Sequence, residues 1–196
     1  MNRHNFFRIV IIGYFLFDKC HECHDYDNYH DYHPVPEGYY WRDYTSEIPE
    51  DAYPGGYDVN NKPTYIGQAF LTGIGIIPTT VYRGQTGMNL PCNWKANYSN
   101  LGMKILCTSN ANFLSWENAT GSDLHLTTTG KQLVIGGYEI GKMINVGRVM
   151  YQGELIVGKV LVYNKGAANL HFIGGGTEVS VPSYQVLVEN FPNKSC

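Results

Sequence analysis

Gly55-Gly56-Tyr57-Asp58 returns as Gly136-Gly137-Tyr138-Glu139, an offset of 81 residues, taken as 136 minus 55. The same offset superimposes Ile105 and Leu106 on Val186 and Leu187, so the spacing holds across most of a unit and not at one tetrapeptide alone. Between these anchors Gly67 falls near Gly147, Gly73 near Gly153 and Val81 near Val160, at offsets of 80, 80 and 79, which leaves room only for short insertions. Trp41 and Trp116 introduce the two copies. A unit written twice predicts a pseudo-symmetric body and, if that body binds anything, two related sites.

Outward from the glycine motifs the chain reads as strand after strand. Residues 64–71, 74–77, 81–82 and 103–107 in the first copy have counterparts at 143–151, 154–157, 159–163 and 184–188 in the second. Apolar and polar residues alternate from Ile144 to Val149, whereas Val160 to Tyr163 is more continuously apolar, so half-buried and central strands are both expected. No segment sustains a helical period. Glycine pairs and the triplet Gly174-Gly175-Gly176 supply the positive φ values that sharp reversals or bulges need. The predicted fold is all-β, an antiparallel sandwich or barrel with little or no helix.

Composition sets the outer limits. The chain has 196 residues, 43% of them hydrophobic, enough for one sizeable core or two small ones. A net charge of −3 offers no basic face for a nucleic-acid backbone, so nucleic acid is excluded as a partner. Residues 1–17 place Arg3 and His4 ahead of an apolar run from Phe6 to Phe17, the order of a secretory signal, and the run is too short to span a bilayer comfortably. An uncleaved anchor and a buried terminal segment are the other readings of that stretch. A signal implies a secreted protein without stable membrane insertion, with which the sequons at Asn97, Asn118 and Asn193 agree.

Residues 18–38 are rich in His, Asp and Tyr and read as a polar linker. Cys20-His21-Glu22-Cys23-His24 has the C-x-x-C-H spacing of covalent haem attachment, but nothing around it reads as a helical cytochrome. Cys20, Cys23, His21, His24, His30 and His33 suit zinc or copper chemically, yet short His-rich tracts are a compositional signal only, so no metal site and no cofactor is assigned. Of the five cysteines, Cys92 falls on Ile173 and Cys107 on Val188, both apolar positions; a disulfide between them and a buried pair of free thiols are both open. Cys196 could serve as an intermolecular thiol.

The repeated elements resemble the DM-nine repeat family of invertebrate proteins. They read Trp41, Ile48, Pro49, Ala52, Gly55 to Asp58, Gly67, Gly73, Pro78 and Val81, and then Trp116, Leu133, Val134, Gly136 to Glu139, Gly147, Arg148, Gly153, Gly158, Lys159 and Val160. The resemblance covers about residues 39 to 190, divided into a first repeat over 39–112 and a second over 113–196. It implies a pseudo-two-fold β-sandwich in which the two repeats exchange strands, and mannose recognition in the manner of a lectin. It also implies that an acid after Gly-Gly and a Lys after Pro-Gly hold the sugar. Carried over, the acids are Asp58 and Glu139 and the Lys is Lys159, while Thr80 stands at the matching position of the first copy.

Such side chains suit a sugar on their own chemistry. A carboxylate accepts from two neighbouring hydroxyls while an ammonium donates to their oxygens, at roughly 1.5 to 3 kcal/mol for each charge-assisted bond. Tyr57 and Tyr138 offer apolar faces for ring carbons. The bland alternative makes Glu139 and Lys159 an ordinary surface ion pair worth about 0 to 1 kcal/mol. Pairing of Asp58 with Lys159 across the copies is a further arrangement that strand exchange would permit. Loss of the first Lys leaves at most one strong site per chain, which would need a homo-oligomer for useful avidity.

A methyltransferase activity, suggested for some members of that family, needs alternating strands and helices and a glycine-rich strand-to-helix turn, and neither is here. His125 and His171 lie singly in β-like segments with no nucleophile beside them, which reads as structural and not catalytic. The expectation is therefore a non-enzymatic, secreted, carbohydrate-binding recognition protein for glycans, for instance on microbial surfaces, with Asp58, Glu139 and Lys159 as site residues. The alternative is a secreted interaction or structural protein that has lost sugar binding, which Thr80 would explain.

Overall fold

A computed structural model describes residues 38–164 and 166–190. The apolar segment 1–17, the His-rich tract with its metal-ligand candidates, Cys196 and the Asn193 sequon lie outside the described residues.

The body is all-β and antiparallel, as the alternation predicts. The first copy contributes β1 (Tyr39–Asp43), β2 (Pro54–Tyr57), β3 (Pro63–Leu71), β4 (Gly75–Val81), β5 (Met88–Cys92), β6 (Lys95–Ser99) and β7 (Lys104–Thr108). The second contributes β8 (Leu114–Thr120), a one-turn helix α1 (Leu124–Thr127), β9 (Gln132–Leu133), β10 (Ile135–Glu139), β11 (Lys142–Tyr151), β12 (Glu154–Asn164), β13 (Ala167–Gly174), β14 (Thr177–Val181) and β15 (Ser183–Glu189).

The pairings repeat. β3 and β4 form a hairpin in which Gly67 faces Thr79, as β11 and β12 do with Gly147 facing Gly158. β3 carries β7, which carries β1; β11 carries β15, which carries β8. Between copies the strands are exchanged: β2 pairs with β12 at Tyr57 and Leu155, and β10 pairs with β4 at Tyr138 and Ile76. With β2 on β3, β10 on β11 and β11 on β12, the central pairings of the sandwich close a circuit of six strands.

Close approach at the exchange explains why Gly-Gly is written twice. A Cβ on Gly56 would lie 1.9 Å from the Leu155 carbonyl oxygen, and one on Gly137, at φ +147°, 2.1 Å from that of Ile76. Neither ladder admits a side chain there.

Two expected interruptions are absent. The breaks expected within 74–82 and 154–163 fall inside the continuous strands β4 and β12. Pro78 lies beyond the last residue that pairs with β10, and Gly158 marks a close crossing and not a break, since a Cβ there would stand 2.1 Å from the His171 carbonyl oxygen.

The core forms three clusters. One is mostly first-copy, with Ile77, Val81, Met88 and Ile105, and takes in Ile144 and Leu161 of the second copy; another gathers second-copy residues such as Val160, Leu170, Phe172 and Val186. A third draws on both: Ile66 and Leu106 join Val146, Val157 and Leu187, with Trp41 and Trp116 packed against them. Cys92 and Cys107 are buried and free, and burial pushes each thiol up to about 11. The register keeps Cys107 on Val188 but moves Cys92: the hairpin Cys92↔Lys95 corresponds to Gly174↔Thr177, so Cys92 matches Gly174 and not Ile173.

Candidate functional site

β12 and β13 lie in register at Lys159 and His171, and β13 and β14 at Ile173 and Glu178. These pairings set Lys159, His171 and Glu178 on adjacent strands. Glu139 ends β10, where the two-residue turn Ile140-Gly141, at φ 45° and 77°, returns the chain to Lys142. Lys159 Nζ donates to Glu139 Oε2 at 2.5 Å and lies 3.4 Å from Glu178 Oε1.

Lys159 is 1% exposed, a burial that would be prohibitive for a lone ammonium and is offset here by two carboxylates. The bland reading of an exposed pair worth little does not hold for this geometry. His171 Nδ1 stands 3.1 Å from Glu178 Oε1 without hydrogen-bond alignment, and Tyr163 Oη lies 3.1 Å from Nε2. Burial alone would raise the Glu178 carboxyl, but the His171 ring, the Lys159 ammonium and the Trp94 N–H together hold it below the usual carboxylate range.

The first copy completes the site. Asn93 and Trp94, at φ 54° and 62°, form the turn between β5 and β6, a left-handed conformation that is costly for tryptophan and implies tertiary support. That support comes from the second copy: Trp94 N–H donates to Glu178 Oε2 at 2.5 Å, and Thr177 Oγ1 donates to the Trp94 carbonyl at 2.9 Å. The Trp94 ring, 67% exposed, stands 6.1 Å from the His171 ring. Cys92 Sγ approaches Glu139 Oε1 at 3.6 Å. The result is a cavity of about 310 Å³ with Glu139, Lys159, Glu178 and His171 at its polar base and Trp94 and Tyr163 on its walls.

Asp58 is not part of this group. Its Oδ1 accepts from the N–H groups of Asn60 and Lys62, both at 2.8 Å, so the carboxylate closes the β2–β3 turn. The structure thus sets Asp58 on its own turn, while Lys159 pairs with Glu139 and Glu178. The register confirms Thr80 as the mate of Lys159, since Ile66 faces Thr80 as Val146 faces Lys159. Thr80 Oγ1 accepts from Val157 N–H at 2.8 Å and donates to Val157 O at 3.1 Å, a structural bridge between the copies. Space near Thr80 is about 60 Å³, and beside it Tyr82 donates to Glu154 at 3.1 Å.

Sequence reasoning missed Glu178, His171, Trp94 and Tyr163 as site residues. One signal was present: in Thr177-Glu178-Val179-Ser180-Val181 the period of two separates Glu178 and Ser180 from the valines, which places the acid on a face of its own.

No family model matches the chain, and no curated protein does. Among solved structures, the crystal structure of the nematode sperm cell motility protein MFP2B is similar, with a TM-score of 0.57 and 13% identity. The likeness covers 83% of this chain and 48% of that one, so this chain spans about half the length of the solved structure it matches. At that identity the likeness concerns the all-β fold alone.

Proposed function

We propose that the protein is a non-enzymatic carbohydrate-binding module of the mannose-type, lectin-like kind that the DM-nine resemblance implies, secreted and directed to glycans such as those of microbial surfaces. The observation that carries this reading is the Glu139–Lys159 pair at the base of a concave cavity flanked by Trp94 and Tyr163. Paired carboxylate and ammonium match adjacent sugar hydroxyls, and an exposed indole offers a face for ring C–H groups. With one Glu139–Lys159 cavity among the described residues, homo-oligomerisation is the natural route to avidity.

A second reading, an interaction or structural protein without sugar binding, draws support from Lys159 itself: at 1% exposure, with two carboxylates beside it, the ammonium is already served. Glycan-array and calorimetric binding separate the two. Mannose-type binding by the parent protein, weakened at least about tenfold in Glu139→Gln and in Trp94→Ala, is expected; tenfold corresponds to about 1.4 kcal/mol. A parent protein that binds nothing on the array would sink the lectin reading.

A further inference from the structure

A second cavity lies elsewhere, about 570 Å³, at the junction of β8, β11 and β15. Arg148 lines it, and the guanidinium is fixed on three sides. Its Nε donates to Gln185 Oε1 at 2.8 Å, Nη1 donates to the Gly55 carbonyl at 3.0 Å, and Cζ sits 4.1 Å above the Trp116 ring. Among the described residues no carboxylate forms an ion pair with it. Burial draws the guanidinium down to about 10, the mark of a cation taken from water without a counter-charge.

The neighbours are oriented as donors. Because Arg148 donates to Gln185 Oε1, the Gln185 amide presents its nitrogen to Asn118 Oδ1, at 3.0 Å, and this leaves the Asn118 amide N–H groups free to donate. Ser183, exposed, adds a hydroxyl to the lining. Asp123 supplies the cavity's carboxylate, with Oδ1 accepting from Thr120 N–H at 2.6 Å and acceptor capacity remaining. Met150 and Leu155 give an apolar side.

We propose that this cavity is a second small-molecule site, distinct from the Glu139–Lys159 cavity, for a carboxylate that also bears hydroxyl groups, of which a hexuronic acid is the simplest. The carboxylate accepts from the Arg148 guanidinium N–H groups that Gln185 and Gly55 do not use, and the hydroxyls meet Asn118, Ser183 and Asp123. The first copy has Gln68 at the position of Arg148, by the register Gln68↔Lys104 against Arg148↔Gln185, so its matching position lacks the guanidinium.

Glucuronate titrated into the full chain, followed by the Trp116 indole and Arg148 Nε resonances, tests the proposal. Saturable shifts are expected, with the neutral methyl ester binding at least about tenfold more weakly for want of the charge-assisted bonds. Arg148→Gln should abolish the response; because Arg148 also ties β11 to Gly55, Ser183→Asp serves as a second variant, placing a carboxylate in the cavity while sparing those bonds. Glu139→Gln should leave glucuronate binding intact, which separates this site from the first. Absence of saturable shifts, equal binding of ester and acid, or binding unchanged in Ser183→Asp would overturn it.

Discussion

Lys159 is buried between two carboxylates, Glu139 and Glu178. Glu178 has a folded-state carboxyl below its usual 4.5, so its contribution to stability is present above that value and lost as pH falls through the lower, folded value. The melting temperature of the parent protein should therefore drop as pH falls below 4.5. Glu178→Gln should start about 1–3 kcal/mol less stable at neutral pH, because Lys159 and the Trp94 turn lose a charged partner, and should show a flatter acid limb. Equal acid slopes for the two proteins would assign the loss to other carboxylates. Glu139 and Lys159 were legible as a pair only through the DM-nine resemblance, since the repeat itself carries no Lys at Thr80. Glu178 and Trp94 were not, because their contact joins residues 84 positions apart and depends on how the β5–β6 turn meets β14.

At the scale of strands, glycine carries two opposite meanings that the sequence alone does not distinguish. Gly84, at φ +83° with nothing within 4 Å of an added Cβ, is a turn residue. Gly158 is extended and crowded by the β13 backbone, and a residue without β propensity in the middle of an apolar run resembles a gap until the neighbouring strand is in place. Chemical denaturation distinguishes them. Gly137→Ala and Gly158→Ala should each cost more than about 2 kcal/mol, since backbone must move, whereas Gly84→Ala should cost about 1 kcal/mol of local strain. A reversed order would mean that the ladders yield more easily than the turn. The hairpins β3–β4 and β11–β12 were legible in outline from alternation and turn glycines; the short β9 and the one-turn α1 were not, being too short to show a period.

Across the whole molecule, the two sequence copies are not two folding units. Exchanged pairings and a core cluster drawn from Ile66, Leu106, Val146, Val157 and Leu187 make each copy's interior depend on the other. Calorimetry should show one transition whose van't Hoff and calorimetric enthalpies agree, and two resolved transitions would contradict that dependence. The repeat period made the pseudo-symmetry legible. The asymmetry of its chemistry was legible only at Thr80, since the capture of Asp58 by its own turn and the isolation of Arg148 become visible only with the backbone in place. The exchange has a further consequence for how such a protein can arise. A solitary copy would leave the edges of its β2 and β4 bare, and those are the edges a second solitary copy would cover. Joining the copies in one gene converts an association that dilution would dissolve into an intramolecular contact, and it releases each half to vary without its twin.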